Sequence, residues 1–336
     1  MKYVYLFGKS ITEGNKNQVN VLGGKGANLA EMSTLGIPVP PGFTIATDVC
    51  SLFLEKKSLP QMINASIEKA LKKIEKTIHK KLGDPKNPLL LSVRSGARIS
   101  MPGMMETVLN IGLTSKTIPA LIKQTQNEQF VYDSYRRLIM MYADVVMEKA
   151  EQKNHIQIRE KLESILDKYK NIKNIEKDSD FAVRDLKEII VEFKKEIKKS
   201  FGMDFPDSCK EQLGGAVEAV FKSWNGKRAI QYRKIENIPN DWGTAVNVQA
   251  MVFGNLGSQS ATGVAFTRNP SNGTNILYGE WLENAQGEDV VAGIRTPYPI
   301  NEASKTRQTK KSTTLEEAFP KIYKELMQIK NKLEKH

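Results

Sequence analysis

The hydrophobic period changes along the chain, and that change limits the possible folds more than any single motif. From about Thr114 to Ser200 apolar residues recur at helical spacing. "YRRLIMMYADVV" places Tyr135, Leu138, Ile139 and Tyr142 on one stripe, and "DLKEIIVEFKKEIKKS" does the same with Leu186, Ile189, Ile190, Phe193 and Ile197. "LGGAVEAVFKSW" adds a helix through Leu213, Val217, Val220, Phe221 and Trp224. After "NIPNDWG" the period falls to two: Val246, Val248, Ala250 and Val252 alternate with other residues, and the turn-rich "GNLGSQSATG" leads into "VAFTRNP" and "NILYGEWL". The chain therefore combines a block of helices with a set of antiparallel strands.

Shorter elements flank these blocks. "GGKGANLAEMSTLGIPVPPGF", from Gly23 to Phe43, reads as a glycine turn, a short helix from about Ala27, a stop at Gly36 and a proline-rich exit, which puts Lys25 just before a helix N-terminus. Leu89 to Ser95 is strand-like, and "TVLNIGL" forms a second extended piece. The last helix is predicted to start at a capping box, Thr313 with Glu316, and to carry Leu315, Phe319, Ile322, Leu326 and Leu333 inward. There is no internal repeat and no low-complexity tract.

A chain of 336 residues exceeds most single cores and predicts two or three subdomains. The formal net charge of +12 raises the question of nucleic acid. Its lysines, however, are spread over amphipathic helices such as "SIEKALKKIEKTIHKKLG", where Ile67, Leu71, Ile74, Ile78 and Leu82 form the stripe, and no aromatic-and-basic strand motif accompanies them. Nucleic acid is therefore not an expected partner. No stretch approaches the ~20 apolar residues of a membrane span and "MKYVYLFGKS" has no secretory pattern, so a cytoplasmic protein without a membrane partner is expected. Cys50 and Cys209, far apart and outside any CxxC pattern, fit a reducing compartment.

Several residues could carry chemistry. In "GGKG", glycines allow close approach of an anion, a helix N-terminus adds partial positive charge and Lys25 adds a full one, a combination suited to a di- or triphosphate. P-loop spacing is absent, and a turn before an ordinary helix accounts for the motif equally well. In "LLSVRSGARISMPGMM", Leu90 to Met105, Arg94 and Arg98 flank a small-residue turn. Arginine's planar fork suits phosphoryl oxygens, while pairing with a carboxylate at a subdomain seam is the plainer alternative. Arg136 and Arg137 either join such a site or face solvent. The strand "VNVQAMVFG" could offer backbone groups to a purine, with Gln249 on its amino group and Met251 against its ring, or could be core alone. "YGEWLENAQGEDVVAG" supplies Glu280, Glu283, Glu288 and Asp289 with Gln286, and carboxylates near a triphosphate commonly hold Mg²⁺. His79, His155 and His336 sit in settings that suit no nucleophile.

These residues fall in blocks. "LGGKGANLAEM", "LSVRSGARISMPGMMETVLN", "YDSYRRLIMMY", "DWGTAVNVQAMVFGN", "TGVAFTRNPS" and "NAQGEDVVAGIRTP" occur in order from the N-terminus to about Pro299. In them the chain resembles the N-terminal nucleotide-binding domain of the pyruvate, phosphate dikinase family. The related phosphoenolpyruvate synthases share the lysine loop and the VRS core, but the "SMPGMM" continuation resembles the dikinase version.

The resemblance implies an α+β, ATP-grasp-type fold. Residues 1–113 and 200–245 would form a first subdomain, 114–199 an inserted helical subdomain and 246–336 a second subdomain, incomplete at its C-terminal end. It also implies ATP and Mg²⁺ as ligands. Lys25, Arg94 and Arg137 match catalytic positions, and Lys25, Arg94, Arg98, Gln249, Met251 and Glu280 match nucleotide-site positions; acidic metal ligands are expected beyond residue 336. The family partner is a swivelling phosphohistidine domain, and the full-length parent, with a pyruvate-binding barrel, is a homodimer. Neither further domain lies in this sequence, which reads as a fragment unable to complete the reaction alone. A synthase-like domain or a nucleotide-sensing module without transfer chemistry are the alternative readings.

Overall fold

The structure is a computed structural model that describes residues 2–153, 155–291, 295–307 and 309–336, without the side chains of Glu288 and Val291. It forms two compact units, Met1–Met251 and Val252–His336.

The first unit is organised by a five-stranded sheet of β1 (Val4–Phe7), β2 (Gly42–Ile45), β3 (Leu91–Gly96), β4 (Thr107–Ile111) and β5 (Ala245–Ala250), in the order β1-β2-β5-β3-β4. Every neighbouring pair is antiparallel. The strand that arrives last in sequence is thus the central one. The sequence boundary drawn at residue 246 differs from this arrangement: β5 is zipped to β2 and β3, and the division falls after Met251.

Directly opposed residues of an antiparallel pair share a face. The register therefore sorts Phe43, Ile45, Leu91, Val93, Val246, Val248 and Ala250 onto one face, and Thr44, Ser92, Arg94, Asn247 and Gln249 onto the other. All six residues of β5 are buried. Its alternation separates an apolar covered face from a polar covered face, not a core from solvent. Val252, read as continuing the strand, lies beyond it and is 76% exposed.

Helices α1 (Val19–Thr34), α2 (Thr47–Lys56) and α3 (Gln61–Ile78) pack around the sheet, followed by α4 (Ile118–Thr125), α5 (Glu128–Tyr142), a π-helical stretch over Ala143–Lys149, α6 (Ile158–Lys173), α7 (Val183–Phe201), α8 (Cys209–Ser223) and α9 (Lys227–Ile235). The predicted stripes are buried: Tyr135, Leu138, Ile139 and Tyr142 on α5, and Leu186, Ile189, Ile190, Phe193 and Ile197 on α7. Asn127 caps α5 by accepting from Phe130 N, and α7 stops at Gly202, whose φ of 73° permits a left-handed turn. Phe53 of α2 meets Phe221 of α8 with ring centroids 5.6 Å apart. Within α9, Arg233 is buried with its guanidinium 4.1 Å from the Trp224 ring and its Nε donating to Asn240 Oδ1 at 3.0 Å. This anchors the "NIPNDWG" segment that leads into β5.

The second unit holds a sheet of β6 (Ala261–Phe266), β7 (Tyr278–Glu283) and β8 (Tyr298–Pro299), with a core of Leu277, Trp281, Ile300 and Leu315. After α10 (Gly287–Val291), the C-terminal part is α11 (Leu315–Ala318) and α12 (Pro320–Lys335), two helices where one is predicted. The capping box is Thr314 with Glu317, one residue later than read from sequence: Glu317 N donates to Thr314 Oγ1 at 3.1 Å and Thr314 N to Glu317 Oε2 at 2.7 Å. Phe319 adopts φ −134° and ψ 64°, and Pro320, which has no N–H to give, begins α12. The break resets the helical phase. Tyr323, Leu326 and Met327 pack on the core, while Ile322 is 49% exposed. Among the described residues no helix is long and apolar enough to cross a membrane.

Candidate functional site

The candidate site lies on the polar face of the five-stranded sheet. Thr44 Oγ1 donates to Asn247 Oδ1 at 2.8 Å, and both side chains are buried beneath α1. The glycines of "GGKG" determine how closely α1 approaches. The helix begins at Val19, not near Ala27, is interrupted by Gly23 at φ 66° and ψ 170°, and resumes so that Lys25 falls in the first turn after the break. A Cβ on Gly23 would stand 1.6 Å from the Gly96 carbonyl oxygen, and one on Gly26 would stand 3.0 Å or less from Thr44 and Asn247. Gly24 N–H donates to the Ala97 carbonyl at 2.9 Å. These glycines seat the helix on the end of β3, and the Gly24 amide is used within the protein. Gly23→Ala is expected to lower the unfolding free energy by about 2 kcal/mol, from a disfavoured φ and overpacking against backbone. Urea denaturation measures it, and an unchanged midpoint would contradict this account.

Seating the helix brings Lys25 to Arg94. Lys25 is solvent-exposed, yet partial desolvation, and after it the Arg94 guanidinium, hold its ammonium below the ordinary lysine range. Arg94 is half-buried. Its Nη2 donates to Gln249 Oε1, whose Nε2 donates to the Pro40 carbonyl at 2.9 Å. Arg98 lies with its guanidinium carbon 5.2 Å from the Trp242 ring centroid. The Nε atoms of both arginines are buried without a hydrogen-bond partner, and burial lowers the Arg94 pKa. Among the described residues none of Lys25, Arg94 and Arg98 has a carboxylate within ion-pair distance. Lys25 and Arg94 lie close together on the polar face of the sheet, with Arg98 stacked on Trp242 after β3, and their partners among the described residues are neutral, an arrangement that suits a multiply charged anion.

The remaining sequence candidates are placed as follows. Arg137 is on α5, which packs on β4 where Asn110 Nδ2 donates to the Ser134 carbonyl at 3.2 Å. Its Nε donates to Asp133 Oδ2 at 2.8 Å. Arg136 does not face solvent: it is buried and pairs with Asp133 and, at 3.2 Å, with Asp178. Met251 follows β5, with its sulfur accepting from Asn110 N at 3.1 Å and its own N–H donating to Leu90 O at 3.0 Å. In the second unit, Glu280 is exposed on β7, opposite Val264 and Pro299. Asp289 is buried and accepts from Gln286 N at 2.9 Å, whereas the Glu288 side chain is outside the described residues. Among the described residues no three His, Cys, Asp or Glu side chains are grouped to hold a metal ion. Lys25, Arg94 and Arg98 are donors suited to anionic oxygens, and these three offer a divalent cation no ligand.

Sequence reasoning missed Thr44, Asn247, Pro40, Trp242 and Asp133. Two of these left a signal. Alternation in "AVNVQA" already puts Asn247 on the face of Gln249, and Asp133 precedes Arg136 and Arg137 by three and four residues, the helical pairing distance. Pro40 and Trp242 left none, because their roles arise from contacts made across the fold.

Residues 19–335 match the family described as pyruvate phosphate dikinase, AMP/ATP-binding domain. The whole chain is 51% identical to a pyruvate, phosphate dikinase of Clostridium symbiosum and covers 36% of it. It is 49% identical to one of Rhizobium meliloti, again covering 36%, and 48% identical to a chloroplastic one of Arabidopsis thaliana, covering 33%. The chain thus spans about a third of the length of the curated relatives it matches. With a match across almost its entire length, this chain belongs to the pyruvate phosphate dikinase AMP/ATP-binding domain family.

Proposed function

We propose that this chain captures ATP as its Mg²⁺ complex and presents it for pyrophosphoryl transfer within a pyruvate, phosphate dikinase. The observation that carries the reading is the group of Lys25 and the half-buried Arg94 and Arg98, which among the described residues have no carboxylate within ion-pair distance. Lys25 and Arg94 hold the phosphate oxygens and polarise them, Arg98 adds a further contact, and Arg137, oriented by Asp133, reaches the same anion from α5. Met251 packs against the adenine. Magnesium neutralises part of the triphosphate charge when bound.

In the proposed transfer a histidine nitrogen on a swivelling partner domain attacks the β-phosphorus. The bond from that phosphorus to the oxygen bridging to the α-phosphorus breaks, and its electron pair leaves with AMP. The histidine then carries the pyrophosphoryl group, and the whole protein completes ATP + phosphate + pyruvate = AMP + diphosphate + phosphoenolpyruvate. Fixed guanidinium charge accelerates such a step because negative charge shifts among the phosphoryl oxygens in the transition state. The parent protein is proposed to be a homodimer located in the cytoplasm.

Calorimetric titration of this chain with MgATP tests the first step. Saturable binding of one nucleotide per chain is expected, weakened about tenfold in Lys25→Ala through loss of one charge-assisted contact. No saturable heat up to about 1 mM, the upper end of ordinary enzyme–substrate affinities, would sink the proposal.

A further inference from the structure

Gln249 occupies a position where its side chain has little choice. It lies on the polar face of the central strand, paired with Gly42 on one side and Ser92 on the other, and is buried. Its Nε2 donates to the Pro40 carbonyl at 2.9 Å, and its Oε1 accepts from Arg94 Nη2. The Pro40–Pro41 segment is itself tied to the strand, since Ala250 N donates to the Pro41 carbonyl at 2.9 Å. A carbonyl can only accept. Were the amide flipped, its oxygen would face the Pro40 oxygen and its NH₂ would face a guanidinium that only donates. The Pro40 carbonyl therefore selects the single orientation in which Oε1 meets Arg94.

The partner's neutrality matters as well. A glutamate at 249 would make a stronger bond to Arg94 but would cancel its charge and set an oxygen against the Pro40 carbonyl. Glutamine fixes the guanidinium in direction while leaving its full positive charge to act on an anion. Both polar ends of the amide are then committed within the protein, unlike the adenine contact read from sequence.

We propose that Gln249 is a positioning residue, which through the Pro40 carbonyl aims the charged Arg94 guanidinium at the triphosphate without neutralising it. This rests on reading the site as a triphosphate cradle.

The test uses inorganic tripolyphosphate, which has no adenine, beside ATP, each titrated with Mg²⁺ into the full chain by calorimetry. Gln249→Met is expected to weaken both ligands by the same factor, about tenfold, the cost of losing a hydrogen bond to a charged group. In an Arg94→Ala background the same substitution should cause no further loss. Gln249→Glu, nearly the same shape, should also bind tripolyphosphate more weakly, and it provides the reading if Gln249→Met does not fold. A loss confined to ATP would overturn the role in favour of adenine recognition. So would an equal loss with and without Arg94, or unchanged tripolyphosphate affinity in Gln249→Glu. Wild-type chain that binds neither ligand would overturn the cradle itself and this role with it; wild-type binding combined with any of the preceding results would overturn this role alone.

Discussion

Asp133→Ala is expected to lower the unfolding free energy by about 4 kcal/mol, the cost of removing one partner from a buried ion pair. Asp133 Oδ1 accepts from Arg136 Nε at 3.0 Å and Nη2 at 2.6 Å, and Oδ2 accepts from Arg137 Nε at 2.8 Å. The Arg136 side chain is 3% exposed, so without Asp133 it would depend on Asp178, itself shared with Lys170 at 2.6 Å. Burial alone would raise the Asp133 pKa, but the Arg136 and Arg137 guanidinium groups outweigh it and hold the carboxyl below the ordinary range. A carboxyl whose folded pKa is depressed stabilises the fold above its unfolded value, and that stability is lost as pH falls through the folded pKa. The difference between wild type and Asp133→Asn should therefore be full at neutral pH and shrink below about pH 4. Guanidinium denaturation at neutral and acid pH measures both. A loss under about 1 kcal/mol at neutral pH would place the triad among the pairs that only offset their own desolvation.

The second large effect is functional. On the proposed function, Arg94→Ala should slow formation of AMP from ATP roughly 100-fold, about 3 kcal/mol of transition-state stabilisation, when measured in a full-length protein carrying the proposed histidine domain. Arg94→Lys should recover only part of this, since an ammonium restores charge but not the planar fork that Gln249 orients. Stability should move the other way or not at all. Arg94 Nε is buried with no partner, and its guanidinium has only a neutral amide to compensate its desolvation. Removing it should leave the unfolding free energy within about 1 kcal/mol of wild type, or raise it, as when a binding site keeps charge that the fold does not need. AMP formation at the wild-type rate would remove Arg94 from the chemistry, and a collapse in stability would make it a structural arginine.

Much of the architecture was legible because local rules generate it. The stripe on α7 appeared as read, since five apolar residues at helical spacing leave one face to bury and Gly202 can end the helix in a left-handed turn. The strand-like segment of Arg94 and the alternation around Val246 and Val248 likewise became β3 and β5. The misreadings share a cause. The capping box slipped by one residue because "STT" before "LEEA" offers two hydroxyls at capping distance from a glutamate, and packing chose Thr314. In sequence the last helix reads as continuous because a stripe can be drawn through Pro320, whereas the Phe319 backbone breaks it.

The sequence by itself determined most of the helices and strands, that Lys25 stands at a glycine-rich helix start and that Arg94 and Arg98 flank a small-residue turn, and, by resemblance, which family the chain belongs to. These follow from interactions between residues a few positions apart, or from motifs specific enough to compare. Only the tertiary structure decided that β5 inserts between β2 and β3, because strand order is chosen by contacts across some 150 residues of intervening chain, a separation that periodicity does not encode. That insertion sets Asn247 beneath Gly26 and Gln249 beside Arg94. It makes a strand that reads either as a purine edge or as core into the support for Arg94, and a glycine loop that reads either as a phosphate cradle or as an ordinary turn into the close-packed seat that brings Lys25 beside it.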